Sequence, residues 1–379
     1  MPDLRRLFML DEQFTYLNHG AFGACPKPVF EVYQSWQREL EKQPSAFFMR
    51  RFGSIMKEAR QSLGNYLGTD GENLVFVPNV TTAINMVAHS LLLEKGDEIL
   101  TTSHEYGAMN RAWEFACART GAIYRPCTIP LPLEDPESLV QHIWDQVSEN
   151  TRVLFLSHIT SISALRLPVE ELLERARQEN IITVIDGAHS PGQLDLNLSE
   201  LKADFYGGNC HKWMLAPKGA GFLYAHPDVQ ELLDPLVVSW GEGSDSPSRF
   251  IQENEFQGVR DIAAYLSVAE AIRFMGEHNW EQVRQDCRDL ITYARKELIR
   301  VTGRQPIAAP GFNQQMIAHP LPDGADAVAI EKALIEEHHI EVPIRSFDGL
   351  NLLRVSAQAY NNRAEIDRLI GVLSKLLGD

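Results

Sequence analysis

Cysteine is scarce and scattered in this chain: five among 379 residues, at Cys25, Cys117, Cys127, Cys210 and Cys287. The number is odd and no Cys-x-x-Cys pair occurs, which excludes a disulfide framework and a zinc ribbon. Positive charge is also short. Lys and Arg total 35 against 51 Asp and Glu, a formal charge of −16. That balance argues against nucleic acid or an anionic membrane surface as the main partner. A small anionic ligand stays compatible, because a pocket can be positive inside an acidic protein. Long apolar runs are missing, and no stretch nears the roughly 18 to 20 residues of a membrane span. The first residues carry Arg5 and Arg6 but only a very short apolar run before Asp11, unlike a secretory signal. Repeats and low-complexity tracts are absent. The expectation is a reduced, soluble, cytoplasmic protein.

What is present is ordinary globular material, 44% hydrophobic and 23% charged. At about 150 residues per domain the length predicts two or three domains. Residues 26–66 read as helices joined by a loop around Gln43-Pro44-Ser45. Between 74 and 226, short apolar runs alternate with stretches of helical length. The runs are Leu74–Val77, Glu98–Thr102, Ala122–Pro126, Val153–Leu156, Ile181–Ile185, Phe205–Gly207 and Gly221–Tyr224. That alternation predicts an α/β fold with a mostly parallel central sheet and helices on both faces. Residues 237–260 read as a loop between domains. A helical stretch then runs over 262–302. Strands at 315–319, 340–343 and 352–355, with helices at 326–338 and 363–377, predict a small C-terminal α+β domain. The expected division is an N-terminal segment (1–20) packing with the small domain, a large domain (21–261) and the small domain (262–379).

Ligands of open α/β sheets collect at the carboxyl ends of the strands. Five such ends carry polar or ionisable groups, from Asn79-Val80-Thr81-Thr82 to Asn209-Cys210-His211-Lys212. Asp186 emerges from the apolar run Ile-Ile-Thr-Val-Ile. Alone it reads equally well as a turn cap. Lys212 stands between His211 and Trp213-Met214-Leu215, and an ammonium desolvated there becomes partly neutral and nucleophilic. Alone it reads better as a lysine reaching solvent. Together, a carboxylate at one strand end and a buried lysine one strand later are the two groups that pyridoxal 5'-phosphate requires. Asn79-Val80-Thr81-Thr82 opens a helix whose free N–H groups suit a phosphate, although ordinary capping explains the threonines equally. His104-Glu105 and His338-His339 lack metal-ligand spacing, and no metal site is expected.

These pieces resemble the class V aminotransferase group of fold-type-I pyridoxal-phosphate enzymes. The motifs run in order over nearly the whole chain: Tyr16-Leu17-Asn18-His19-Gly20, Asn79 to Asn85, Asp186-Gly187-Ala188-His189, His211-Lys212-Trp213, Gln257-Gly258-Val259-Arg260-Asp261 and Leu353-Arg354-Val355-Ser356. The segments Asn18 to Gly23, Ser157-His158-Ile159-Thr160-Ser161 and Gly208 to Trp213 are similar to the isopenicillin N epimerase branch. The resemblance implies a pyridoxal-phosphate-dependent transferase fold and roles residue by residue. Lys212 would form the Schiff base and move the α-proton, with Asp186 facing the pyridine nitrogen. Val80 and Thr81 would cup the phosphate, with Asn209 and His211 adding contacts. Tyr106 would stack on the ring, where cysteine desulfurases carry His. Ser161 would meet the phenolic oxygen, and His189 would lie near the ring edge. Arg354 would clamp the substrate carboxylate, with Asn18 beside the substrate. Gly258 and Val259 would reach the phosphate of a neighbouring subunit, which implies a homodimer with shared sites. Val259 stands where relatives have Thr.

No cysteine follows Cys287, so a persulfide mechanism lacks its nucleophile. The expected activity is epimerisation at the α-carbon of an amino acid. Transamination or carbon–sulfur lysis on the same scaffold is the alternative, and a ligand-binding protein without chemistry ranks last. Tyr106 and His189 are the candidates for a second acid. Arg50, Arg51 and Arg249 are weighed as readers of a distal carboxylate, with solvated charge the favoured reading.

Overall fold

In the computed structural model, which describes residues 4–241 and 248–378, all seven apolar runs between 74 and 226 are strands of one sheet. After the short β1 (Thr15–Tyr16) come β2 (Leu74–Val77), β3 (Glu98–Thr102), β4 (Ile123–Cys127), β5 (Thr151–Ser157), β6 (Ile182–Gly187), β7 (Phe205–Asn209) and β8 (Gly221–Ala225). Their spatial order is β2-β8-β7-β6-β5-β3-β4. Neighbours from β7 through β4 pair in parallel, and β8 runs antiparallel to both of its neighbours. Strands β2, β7 and β8 are buried at every position. Runs without polar alternation are what a sheet covered on both faces requires.

Two residues of β7 are glycines for a packing reason. A Cβ on Gly207 would lie 2.8 Å from Val80 Cγ2, so the bare backbone lets the helix Val80–Ser90 lie close across the sheet. That helix starts where Asn79 Oδ1 accepts the Thr82 N–H at 3.0 Å, an ordinary cap. Its first turn is therefore held at the same sheet edge as Asp186 and Asn209.

The C-terminal part builds a second sheet, ordered β11-β12-β9, from β9 (Met316–Pro320), β11 (Ile344–Phe347) and β12 (Leu350–Ser356). Between β9 and β11 lies β10 (Ile340–Glu341), which pairs in parallel with β1. Asn18 bridges to Ser356 next to it. The chain's beginning is thereby laid against the strand that carries Arg354.

Four local readings are corrected. The loop expected around Gln43-Pro44-Ser45 is a break at Gln43 alone, after which helical backbone resumes at Pro44. The loop read over 237–260 contains the helix Arg249–Glu255, capped by the Ser248 side chain; residues 242–247 lie outside the described residues. The helical stretch over 262–302 is three helices, Ala263–Leu266, Val268–Glu277 and Trp280–Thr302. Asn279, at φ 49°, makes the second break, a conformation asparagine tolerates better than most side chains. Strand β11 forms where no strand is expected. It pairs with β12 through Asp348-Gly349, both at positive φ, the dipeptide that favours a tight hairpin turn.

Phe222 of β8 is fully buried and stacks on Tyr206 of β7 at 6.4 Å between ring centres. Phe222→Ala leaves a void beneath the sheet and should lower unfolding stability by about 3–5 kcal/mol. Urea denaturation with an unchanged slope would check this.

Candidate active site

Lys212 follows β7 by three residues, in a turn tied back to the sheet by Cys210 N–H→Ala220 O at 3.0 Å. The backbone before it touches Gly23, at φ 68°, where a Cβ would lie 2.1 Å from the His211 carbonyl oxygen. Only glycine permits that approach. The N-terminal segment is thus pressed against the lysine's own backbone. Lys212 Nζ stands 3.2 Å from His189 Nε2. Its ammonium is pushed down to about 8, first by burial and then by the Arg354 cation, with Asp186 opposing.

Asp186 is the penultimate residue of β6 and is 2% exposed. Its Oδ1 accepts the Ala188 N–H at 2.8 Å. Burial pushes its carboxyl up, against the Lys212 charge. Arg354, on β12, is 9% exposed. One guanidinium nitrogen donates to the Ser161 carbonyl at 2.5 Å and another to Asn18 Oδ1 at 3.4 Å. Asn18 Nδ2 in turn donates to Glu341 Oε1 at 3.3 Å. Arg354 Nε has no partner, and among the described residues no carboxylate pairs with this guanidinium. Burial holds it down to about 10. A buried, unpaired guanidinium is costly unless an anion joins it.

The remaining expected residues divide. Asn209 is buried, and its Oδ1 accepts the Val80 N–H at 2.9 Å. The Val80 donor assigned to a phosphate is therefore already engaged. The Thr81 N–H and hydroxyl carry no hydrogen bond among the described residues. Tyr106 ends the turn after β3 and is 46% exposed. His211 is tied through Nδ1 to the Ala220 carbonyl at 3.2 Å, and burial pushes it down to about 4. Gly258 and Val259 join none of these. They line a separate cavity of about 1060 Å³ with Arg50, Phe52 and Trp240. Arg51 pairs with Glu39, and Arg249 with Glu231, Asp234 and Glu253, so both are surface ion pairs.

Sequence reasoning overlooked two groups. Trp213 donates its Nε1–H to His189 Nδ1 at 3.3 Å; its place beside Lys212 was the available signal. Glu105, 3% exposed, accepts from Ser157 N–H at 2.8 Å, Ser157 Oγ at 2.5 Å and Thr102 Oγ1 at 2.7 Å. It pins the turn presenting Tyr106 to the end of β5, and burial pushes its carboxyl up to about 7.

The donor set suits pyridoxal phosphate: a desolvated amine, a buried carboxylate one strand away, unengaged donors at a helix start, an open aromatic face and an unpaired guanidinium. Fold and site together define a fold-type-I pyridoxal-phosphate-dependent enzyme. The sequence matches the family described as Aminotransferase class-V over residues 15–369. It is 37% identical to isopenicillin N epimerase of Streptomyces clavuligerus, the match covering 100% of this chain and 98% of that protein. Identity to isopenicillin N epimerase of Amycolatopsis lactamdurans is 36%, covering 98% and 97%. A probable chloroplastic L-cysteine desulfhydrase of Arabidopsis thaliana is 25% identical, covering 97% and 84%. Among solved structures, a variant of the C–S lyase C-DES with glycine covalently linked to its pyridoxal-phosphate cofactor superposes with TM-score 0.85 at 23% identity, covering 99% of each chain. The apo cysteine desulfurase of Thermococcus onnurineus gives 0.83 at 21%, covering 99% and 97%. The chain belongs to the class V aminotransferase family.

The depressed Lys212 amine is measurable in cofactor-free protein. Labelling by a small amine-reactive probe, read by peptide mass spectrometry, should reach half-maximum near pH 8, below the ordinary lysine value of 10.5. The folded chain binds fewer protons than the unfolded chain between those values. Stability of the cofactor-free chain should therefore gain a contribution from this group as pH rises through that window.

Proposed function

We propose that the chain is a cytoplasmic, homodimeric epimerase of the isopenicillin N epimerase kind, inverting the α-carbon of an amino acid. The carrying observation is the desolvated Lys212 amine, set between buried Asp186 and the unpaired guanidinium of Arg354. Pyridoxal phosphate, when bound, supplies the electron sink that makes an α-proton removable. Lys212 Nζ then takes and returns that proton as general base. Asp186 keeps a proton at the pyridine nitrogen. Arg354, oriented by the Ser161 carbonyl and Asn18, holds the substrate carboxylate in a two-point grip. The Thr81 N–H and hydroxyl, with Asn209 and His211 beside them, bind the phosphate. Tyr106 covers the ring, and the Ser161 hydroxyl meets the phenolic oxygen. The loop at Gly258 and Val259 serves the site of a second copy.

Two observations support epimerisation over sulfur chemistry. The relatives matching at 36–37% identity over nearly the full length are named isopenicillin N epimerases. All five cysteines are buried, and burial pushes each thiol up, so none supplies a ready thiolate. Among the described residues no helix is long and apolar enough to cross a membrane, in keeping with the cytoplasmic reading.

Incubation with an amino-acid panel in deuterium oxide tests the reaction. Loss of optical purity with deuterium at the α-carbon is expected. A keto acid without ammonia would instead identify an aminotransferase, and keto acid with ammonia and sulfide a lyase. Borohydride should fix the cofactor on Lys212, and Lys212→Ala should abolish both the label and turnover. Sedimentation as a lone protomer would remove the shared site.

A further inference from the structure

The proton on His189 is decided by a neighbour that only donates. Trp213 is fully buried, and its indole N–H points at His189 Nδ1. An indole has no acceptor, and a neutral imidazole has one N–H and one lone-pair nitrogen. With Nδ1 engaged as acceptor, the ring proton of His189 sits on Nε2, the atom 3.2 Å from Lys212 Nζ. That contact is a hydrogen bond only if Nζ offers a lone pair, which an ammonium lacks. A second proton on the imidazole is disfavoured first by burial, with Lys212, Arg354, His19 and His211 adding to the effect. The anionic group acting on Lys212 is Asp186. The indole is itself held in place. The His19 ring packs on it at 4.8 Å, and a Cβ on Gly20 would come 3.5 Å from its Cζ2.

We propose that Trp213 is a positioning residue that locks His189 in its Nε2–H form, so that the imidazole donates to Lys212 Nζ and holds that amine as a free base. A consequence follows for inversion at the α-carbon. His189 cannot accept a proton on Nε2, which already carries one. Its Nδ1 lone pair is taken while the indole stays. Surrendering the Nε2 proton would leave an imidazolate among groups that give it no replacement. Of the two second-acid candidates read from the sequence, Tyr106 alone is left. The inference rests on the reading of Lys212 as the reacting amine, and it concerns how that amine is kept reactive.

Trp213→Phe keeps a buried ring and removes the donor. In the full-length chain, freed of cofactor, His189 can then turn a lone pair on Nε2 toward Lys212 and stabilise the ammonium. The labelling midpoint of Lys212 should move above about 8 by about one pH unit, so that labelling at neutral pH falls about tenfold. The same substitution made in a His189→Ala background should leave the midpoint where His189→Ala alone puts it. Loosened packing lets water reach the amine irrespective of His189, so it predicts a shift in both backgrounds. In the loaded parent enzyme, the nitrogen-15 shifts of His189 should show a protonated Nε2 and a bare Nδ1, a readout that needs no variant to fold. A protonated Nδ1, an unmoved midpoint in folded Trp213→Phe, or a shift that persists without His189 overturns the proposal. Failure of borohydride to label Lys212 strikes the functional reading instead and leaves the His189 tautomer standing.

Discussion

Withdrawing water from one amine is the constraint on which the rest of the site depends. Lys212 is partly neutral near physiological pH because burial disfavours its charged form and the Arg354 cation adds to the effect. The same low-dielectric surroundings raise the Asp186 carboxyl, lower His189 and lower Arg354. Each shift moves its group toward neutrality. A cluster this destabilised persists only where the surrounding structure over-determines it. Here the surroundings are a sheet buried on both faces and glycines that bring backbone against backbone.

The site is assembled from chain segments distant in sequence. The edge formed by β3, β5, β6 and β7 contributes Tyr106, Ser161, Asp186 and Asn209. The helix Val80–Ser90 supplies its N-terminus. Arg354 arrives on β12 of the second sheet, and Asn18 arrives because β1 pairs with β10. The placement of the Arg354 guanidinium therefore depends on how the C-terminal sheet sits on the large one. Its anchor is a main-chain carbonyl at Ser161, so a substitution of the Ser161 side chain leaves that contact in place.

Much of this was legible in the amino-acid order. Apolar runs with glycine and polar residues at their ends marked the strands of the large sheet, because strands covered on both faces have no polar alternation to blur them. Asn79 marked its helix start. The hairpin at Asp348-Gly349 carries a turn signal, but exposed Arg345 and Ser346 break the apolar pattern of the strand before it. Arg249–Glu255 was hidden by the Gly, Ser and Pro residues just before it. The hydrogen bonding of the donors at that helix start was harder still. Nothing in Asn79-Val80-Thr81 tells that Asn209, on another strand, takes the Val80 N–H.

Element positions, the motif order and the strand-end placement of Lys212 and Asp186 came from the sequence, because periodicity and capping act over a few residues and are written locally. The contact of the Trp213 indole with His189, the lack of a carboxylate partner for Arg354 among the described residues and the engagement of Val80 came only from the tertiary structure. Those properties depend on which distant groups face each other and on how much water is left between them, and neither quantity has a local signature along the chain.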